Sequence, residues 1–448
     1  MSPAPGVPVV DGGPAAVAPG RLDHLVSRTR ALAAGEVGDL LDVLGSDGFA
    51  WLRNGVGFVT AGVAARLPVE PGPDRFVRAA EYVGTALRSI RVDGPSPITG
   101  PGPGAGPIAV GALPFAEQTA GSLVVPSLTV VCRRDGTGWV TTTGSGRQAS
   151  GPFAEAPSGS TVREAVNGHP APGPVDAGVR EDPGRAEWTE SVRRILTAID
   201  NGEVRKVVLA RQLIVEAGAP FDRRAVLDRL RRSHPSCFTY AAGGFVGASP
   251  ELLVRRHGDE VASCPMAGTV PRGATAEEDA ALTAGLRRSV KEAEEHRLLV
   301  EAVVAALTPV CLAPAAAGDP DVARFPTVSH LATRVTGVLR RPAPSALALA
   351  GLLHPTPAVG GLPRAQALAT IAALEGFDRG LYAGPVGWVD ARGNGEWAVA
   401  LRGAQLDGPR ARLVAGAGIV AGSDPEAEWA ETEAKFRPML AAVGAPAG

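Results

Sequence analysis

Four cysteines in 448 residues is a sparse supply. Cys132, Cys237, Cys264 and Cys311 are scattered, with no CxxC or CxxH spacing among them. That speaks against a zinc site or a disulfide framework and makes a reducing cytoplasm the expected compartment. Excess charge is missing too: the formal net charge is −2 and charged residues make up 20% of the chain. Nothing therefore marks a nucleic-acid or membrane-surface binder. No apolar run reaches the roughly 18 residues needed to span a bilayer, and no basic-then-apolar leader opens the chain. βαβ alternation is absent, as is a GxGxxG after a strand, so a Rossmann reading is poor. The expectation that remains is a soluble, intracellular protein.

Glycine and proline are abundant, at 57 and 40 residues. Apolar periodicity nevertheless persists through most of the chain, so this abundance reads as compositional bias. Residues 1–20 are Pro/Gly/Ala-rich and read as a disordered tail. Residues 21–448 read as one domain: a β-rich half over 21–143, a polar connector over 144–184, and a motif-bearing half over 185–442. Short apolar runs between Gly/Pro turns predict strands and hairpins in the first half, with one helix over 75–90. In the second half, apolar spacing predicts helices over 187–200, 221–232, 345–353 and 364–375, and one long helix over 276–307. Strands are expected over 204–215, 237–242, 244–247, 251–256, 333–339, 383–389, 396–405 and 411–420. Runs of strands interrupted by helices predict an α+β fold of large antiparallel sheets flanked by helices.

The chemistry concentrates in AGAGIVAGSDPEAEWAETEAKFR, residues 415–437. Gly416 and Gly418 let a backbone approach a ligand closely. The chain then turns at Gly422 into a helix, with Ser423 and Glu426 fitting a capping box and Pro425 in the first turn. Glu428, Glu431 and Lys435 fall on one face of that helix. Upstream, Glu292 and Glu295 repeat the i, i+3 spacing, and two such helices could offer an oxygen-ligand site suited to Mg²⁺. Solvated salt bridges fit those carboxylates as well.

Period 2 puts Lys206 with Val208 and Ala210 on a small apolar strand face, where a poorly solvated lysine is a candidate general base. An edge-strand lysine reaching water fits the local sequence equally. Glu251, in SPELL, enters a strand beside two leucines, where burial would keep it protonated as an acid; a capping carboxylate is the alternative. Arg402 in an apolar strand, Lys435 and Gly268-Thr269 are candidate anion-binding groups. His330 and the 354–358 loop add polar groups with structural readings of their own.

Taken together, KVVLAR, SPELL, AGT, KEAEEH, HLAT, HPTPAVGG, FDRGLYAGPVGW, NGEWAVALR and AGAGIV…EWAETEAK resemble the chorismate-binding enzymes over about residues 187–440. The isochorismate-forming members are the most similar. The resemblance implies large antiparallel sheets flanked by helices around one Mg²⁺-dependent site. Relatives that add ammonia typically have glutamine where Lys206 stands, so Lys206 implies water as the nucleophile and no glutaminase partner. Salicylate and anthranilate synthases typically have threonine where Ala358 stands. By resemblance, Mg²⁺ on Glu292, Glu295, Glu428 and Glu431 would hold the ring carboxylate of chorismate. Arg402, Lys435 and the backbone near Gly268, Thr269 and Gly416 would serve its carboxylates, with His330 and Ala358 also lining the site. Lys206 would take a proton from water attacking C2, and Glu251 would protonate the departing C4 hydroxyl. The rivals are a salicylate synthase and a catalytically silent chorismate binder. Members of this architecture commonly act as monomers. Isochorismate feeds menaquinone, catechol-siderophore and salicylate routes, and nothing in the chain names its customer.

Overall fold

The computed structural model describes residues 21–94, 106–145 and 177–446. The 1–20 tail and most of the 144–184 connector lie outside the described residues. The strands build a 20-stranded sheet and a separate three-stranded one. Among the pairings of described strands one is parallel, Leu25–Leu32 with Arg91–Asp93; the others are antiparallel. This is the antiparallel α+β architecture expected from the sequence. The two halves of the chain share the large sheet. Ala50–Arg53 pairs with Phe238–Ala242, and Ile108–Ala112 pairs with Pro385–Asp390.

The strand that organises the second half is Lys206–Ala217, KVVLARQLIVEA. Its β-branched residues suit a pleated surface buried on both faces. Along one edge it pairs with Arg410–Ile419, from Arg410 opposite Glu216 to Ile419 opposite Val207. Val207 and Leu209 point into an apolar cluster with Trp188, Val192 and Ile195 of the Arg185–Asp200 helix. That helix ends at Asn201, followed by Gly202 at φ +75°, a backbone that favours glycine. Trp188 packs edge-on against Trp429 of the Pro425–Val443 helix, ring centroids 6.0 Å apart. Burying each such side chain contributes about 1.5–3 kcal/mol. The last helix is thereby held against the sheet that carries Lys206. No helix among the described residues is long and apolar enough to cross a membrane.

The structure departs from the sequence reading in several places, among them the expected 144–184 connector, in which Ala177–Asp182 form a strand, and the unexpected strand Glu260–Cys264. The expected 276–307 helix is two helices, Ala276–Arg288 and Val290–Leu307. Ser289 breaks it with an extended backbone, and its hydroxyl accepts from the Glu292 N–H at 3.3 Å. An N-cap wins over propensity here because it satisfies a donor the second helix would leave bare. The 396–405 strand is also two, Gly395–Val399 and Gly403–Asp407, separated where Arg402 takes φ +50°. The last helix is capped by Asp424, which accepts from the Ala427 N–H at 2.9 Å. Ser423, the cap expected from sequence, instead accepts from the Val420 N–H at 3.1 Å and tightens the Gly422 turn. Finally, Met266–Pro271, Asp321–Arg324 and Val328–Ala332 form the three-stranded sheet, which the sequence reading did not contain.

Candidate active site

Several of these elements end around one pocket. Lys206 and Val208 project into it from the first residues of their strand, on the face opposite Val207 and Leu209. Gly416 and Gly418 come from the paired strand, and Glu431 and Lys435 from the last helix. Glu251 sits between Phe245–Ser249 and Leu252–His257, and Arg402 sits in the break described above. The small sheet supplies Gly268, Thr269 and His330, the Val290–Leu307 helix supplies Glu295, and the 354–363 loop supplies Ala358. Of the residues singled out from sequence, Glu292 and Glu428 are the two that do not line the pocket. Glu292 borders the pocket-lining Gly268, where a Cβ would stand 2.9 Å from its Oε2, and it feels the charges of Glu295 and Glu431; Glu428 feels that of Glu431.

Lys206 Nζ lies 2.6 Å from Glu295 Oε1, with both side chains largely buried. Gly418 makes room for the pair: a Cβ there would stand 3.0 Å from Lys206 Cε and 3.3 Å from Glu295 Oε1. Glu251 is buried, and burial pushes its carboxyl up to about 8 against the opposing pull of Lys206, Arg402 and Lys435. It therefore carries a proton at neutral pH. The Ser249 hydroxyl fixes its approach, donating to Val399 O at 2.5 Å and accepting from the Glu251 N–H at 3.3 Å.

Lys435 donates to Gly416 O at 2.8 Å and pairs with Glu431. Arg402 makes no side-chain hydrogen bond or ion pair with any described residue. Its left-handed backbone turns its cation toward the pocket. His330 Nδ1 lies 3.1 Å from Gly268 O and 3.1 Å from Thr269 Oγ1. A carbonyl only accepts, so Nδ1 carries the proton and Nε2 is left as an acceptor. Burial, then Arg402 and Lys435, push the imidazole down to about 3, so it is neutral.

Burial, then repulsion from Glu295, raises the Glu292 carboxyl, and burial with repulsion from Glu431 brings Glu428 up to about 7. Among the described residues no three His, Cys, Asp or Glu side chains are gathered tightly enough to hold a metal. Glu295 and Glu431 are paired with lysines instead. The donor set itself fits Mg²⁺: four carboxylates on two helices repel one another, and a hard divalent cation relieves that repulsion.

Sequence reasoning missed Tyr382, which is buried in the pocket wall. A Cβ on Gly416 would stand 3.3 Å from its hydroxyl, and burial pushes the phenol up to about 12. Its signal was available in FDRGLYAG, where a tyrosine stands among small residues. Val208, Val359 and Leu401 also line the site, and Val208 was already implied by period 2 from Lys206.

A protonated carboxyl, a lysine–carboxylate pair and two further cations around one pocket define an enzyme for a small anion. Residues 45–444 match the family described as chorismate binding enzyme, and the chain belongs to it. It is 41% identical over 354 residues to a MenF protein of Mycobacterium tuberculosis, covering 76% of this chain and 87% of that one. It is 35% identical over 399 residues to isochorismate synthase DhbC of Bacillus subtilis, covering 86% and 90%. Among solved structures, the menaquinone-specific isochorismate synthase MenF of Escherichia coli superposes with a TM-score of 0.74 at 27% identity, covering 93% of this chain and 94% of that one.

Proposed function

We propose that this protein is an isochorismate synthase, converting chorismate reversibly to isochorismate by attack of water at C2 and loss of the C4 hydroxyl. The observation that carries the reading is that two groups able to move a proton, the buried Glu251 carboxyl and the Lys206 amine, line one pocket. Two such groups are what a displacement of one hydroxyl by another needs.

Arg402 and Lys435 bind the carboxylates of the substrate, and neutral His330 accepts a hydrogen bond through Nε2 without adding charge. Glu292, Glu295, Glu428 and Glu431 would hold Mg²⁺, which when bound supplies positive charge against the ring carboxylate. Lys206 acts as the base in its neutral form, having given its proton to bulk water, and Glu295, 2.6 Å from Nζ, orients the amine. Lys206 then takes a proton from water as the oxygen bonds to C2. The ring double bonds shift, the C4–O bond breaks, and Glu251 gives its proton to the departing hydroxyl, which leaves as water. The cycle ends with Lys206 protonated and Glu251 ionised, the arrangement the reverse reaction starts from. Ala358 at the pocket wall, where salicylate-forming relatives typically carry threonine, supports isochorismate as the end product.

Incubating the purified protein with chorismate and Mg²⁺ and separating the products tests this. A chorismate–isochorismate mixture reached from either side is expected. Salicylate with pyruvate, or no conversion, overturns it.

A further inference from the structure

The pocket wall has a gap in its sheet that an ion pair fills. The free edge of the Lys206–Ala217 strand pairs with Gly361–Leu362 at Lys206 and Val207, and with Ala177–Asp182 from Gln212 onward. Between those partners, the backbone at Val208 and Ala210 has no strand beside it on that edge among the described residues. Val208 donates its N–H to Gly360 O at 2.9 Å. Its carbonyl accepts from Arg379 Nη2 at 2.7 Å, and the Ala210 N–H donates to Glu375 Oε1 at 2.7 Å. Arg379 and Glu375 thus supply the donor and the acceptor that a neighbouring strand would have supplied.

The pair is joined twice, Nε to Oε2 at 2.8 Å and Nη2 to Oε1 at 2.5 Å, with each side chain 2% exposed. The remaining Arg379 nitrogen, Nη1, donates to Val359 O at 2.7 Å. The guanidinium lies 4.4 Å from the Phe115 ring centroid, which leaves it little room to swing. One guanidinium therefore clamps the Lys206 strand to the loop that presents Ala358 and Val359. Val208, Ala358 and Val359 all line the pocket, and Glu375 and Arg379 themselves do not.

We propose that Glu375 and Arg379 are a positioning pair, setting the distance between Lys206 and the Ala358–Val359 wall without touching substrate; this rests on the isochorismate synthase reading. Only a planar, forked cation can serve Val208 O, Val359 O and both Glu375 oxygens at once. A lysine at the same place keeps the charge and can reach only part of that set. A misplaced base costs turnover far more than it costs binding, because the carboxylate contacts of the substrate lie elsewhere in the pocket.

The test compares Arg379→Lys and Glu375→Gln with the unaltered chain, with each rate divided by the folded fraction from thermal unfolding. The unaltered chain tests the function itself, so its failure to convert chorismate is distinguishable from a failure of this proposal. For both variants kcat is expected to fall about 10²-fold, since misplacements of about 1 Å carry losses of that order. The KM for chorismate should stay within about threefold, the pattern of an interaction that matters only in the transition state. Unchanged kcat per folded molecule in both variants overturns the proposal. So does an activity loss that only follows the folded fraction, or failure of both variants to fold, since the pair would then serve folding alone.

Discussion

Replacing Glu251 by glutamine keeps the shape of the side chain and removes its proton. With a carboxyl at about 8, Glu251 is about nine-tenths protonated at pH 7 and is available as an acid. General acid catalysis contributes about 10²–10⁴-fold, so Glu251→Gln should lower kcat by that factor, a barrier increase of about 3–5 kcal/mol. The same substitution should stabilise the fold, with a definite pH dependence. The folded value is raised above the unfolded value of 4.5, so between pH 4.5 and about 8 the unfolded chain ionises while the native carboxyl keeps its proton. Native wild-type protein therefore loses stability as pH rises through that window, and glutamine does not. The gap at pH 7 is of the order of 3 kcal/mol in favour of the variant, and it should vanish near pH 4. Turnover of the unaltered chain should decline above pH 8 as Glu251 ionises. Steady-state kinetics and urea unfolding at pH 4 and pH 7 measure both effects. A variant that keeps its kcat, or a stability gap that does not grow with pH, refutes the assignment of Glu251 as a buried acid.

Lys206→Ala should abolish turnover while leaving Mg²⁺-dependent chorismate binding measurable by calorimetry; unchanged turnover would show that the base lies elsewhere. Gly418→Ala places a methyl 3.0 Å from Lys206 Cε, and kcat should fall about tenfold or more because the Lys206–Glu295 pair must move. Ser289→Ala removes the cap between the two central helices and should cost about 1 kcal/mol of stability in denaturant unfolding. A loss within error would mean the break is held by other contacts.

Much of the architecture can be read from local pattern because its causes are local. Period 2 separates Val207 and Leu209, packed on the Arg185–Asp200 helix, from Lys206 and Val208, facing the pocket. The spacing of Trp188, Val192 and Ile195 likewise predicts the face that the helix buries. Ser289 escapes such a reading because its capping signal lies inside an unbroken helical periodicity. Arg402 escapes because a left-handed residue within an apolar run leaves no mark in composition. The contacts of Tyr382, Glu375 and Arg379 escape because they join residues far apart in the chain. Arg379 to Val208 spans 171 positions, and only the folded sheet brings the two together. Glu292 and Glu428 share spacing with Glu295 and Glu431, yet only the latter two line the pocket, a distinction that i, i+3 spacing cannot make.

The central claim is that water attacks C2 while the C4 hydroxyl departs. Running the reaction on chorismate in oxygen-18 water, and stopping it early, tests that directly by mass spectrometry of the product. Isochorismate carrying one heavy oxygen, at its C2 hydroxyl, is the predicted result. Isochorismate formed without label would mean that the hydroxyl migrates within the substrate, and the roles given to Lys206 and Glu251 would fall with it.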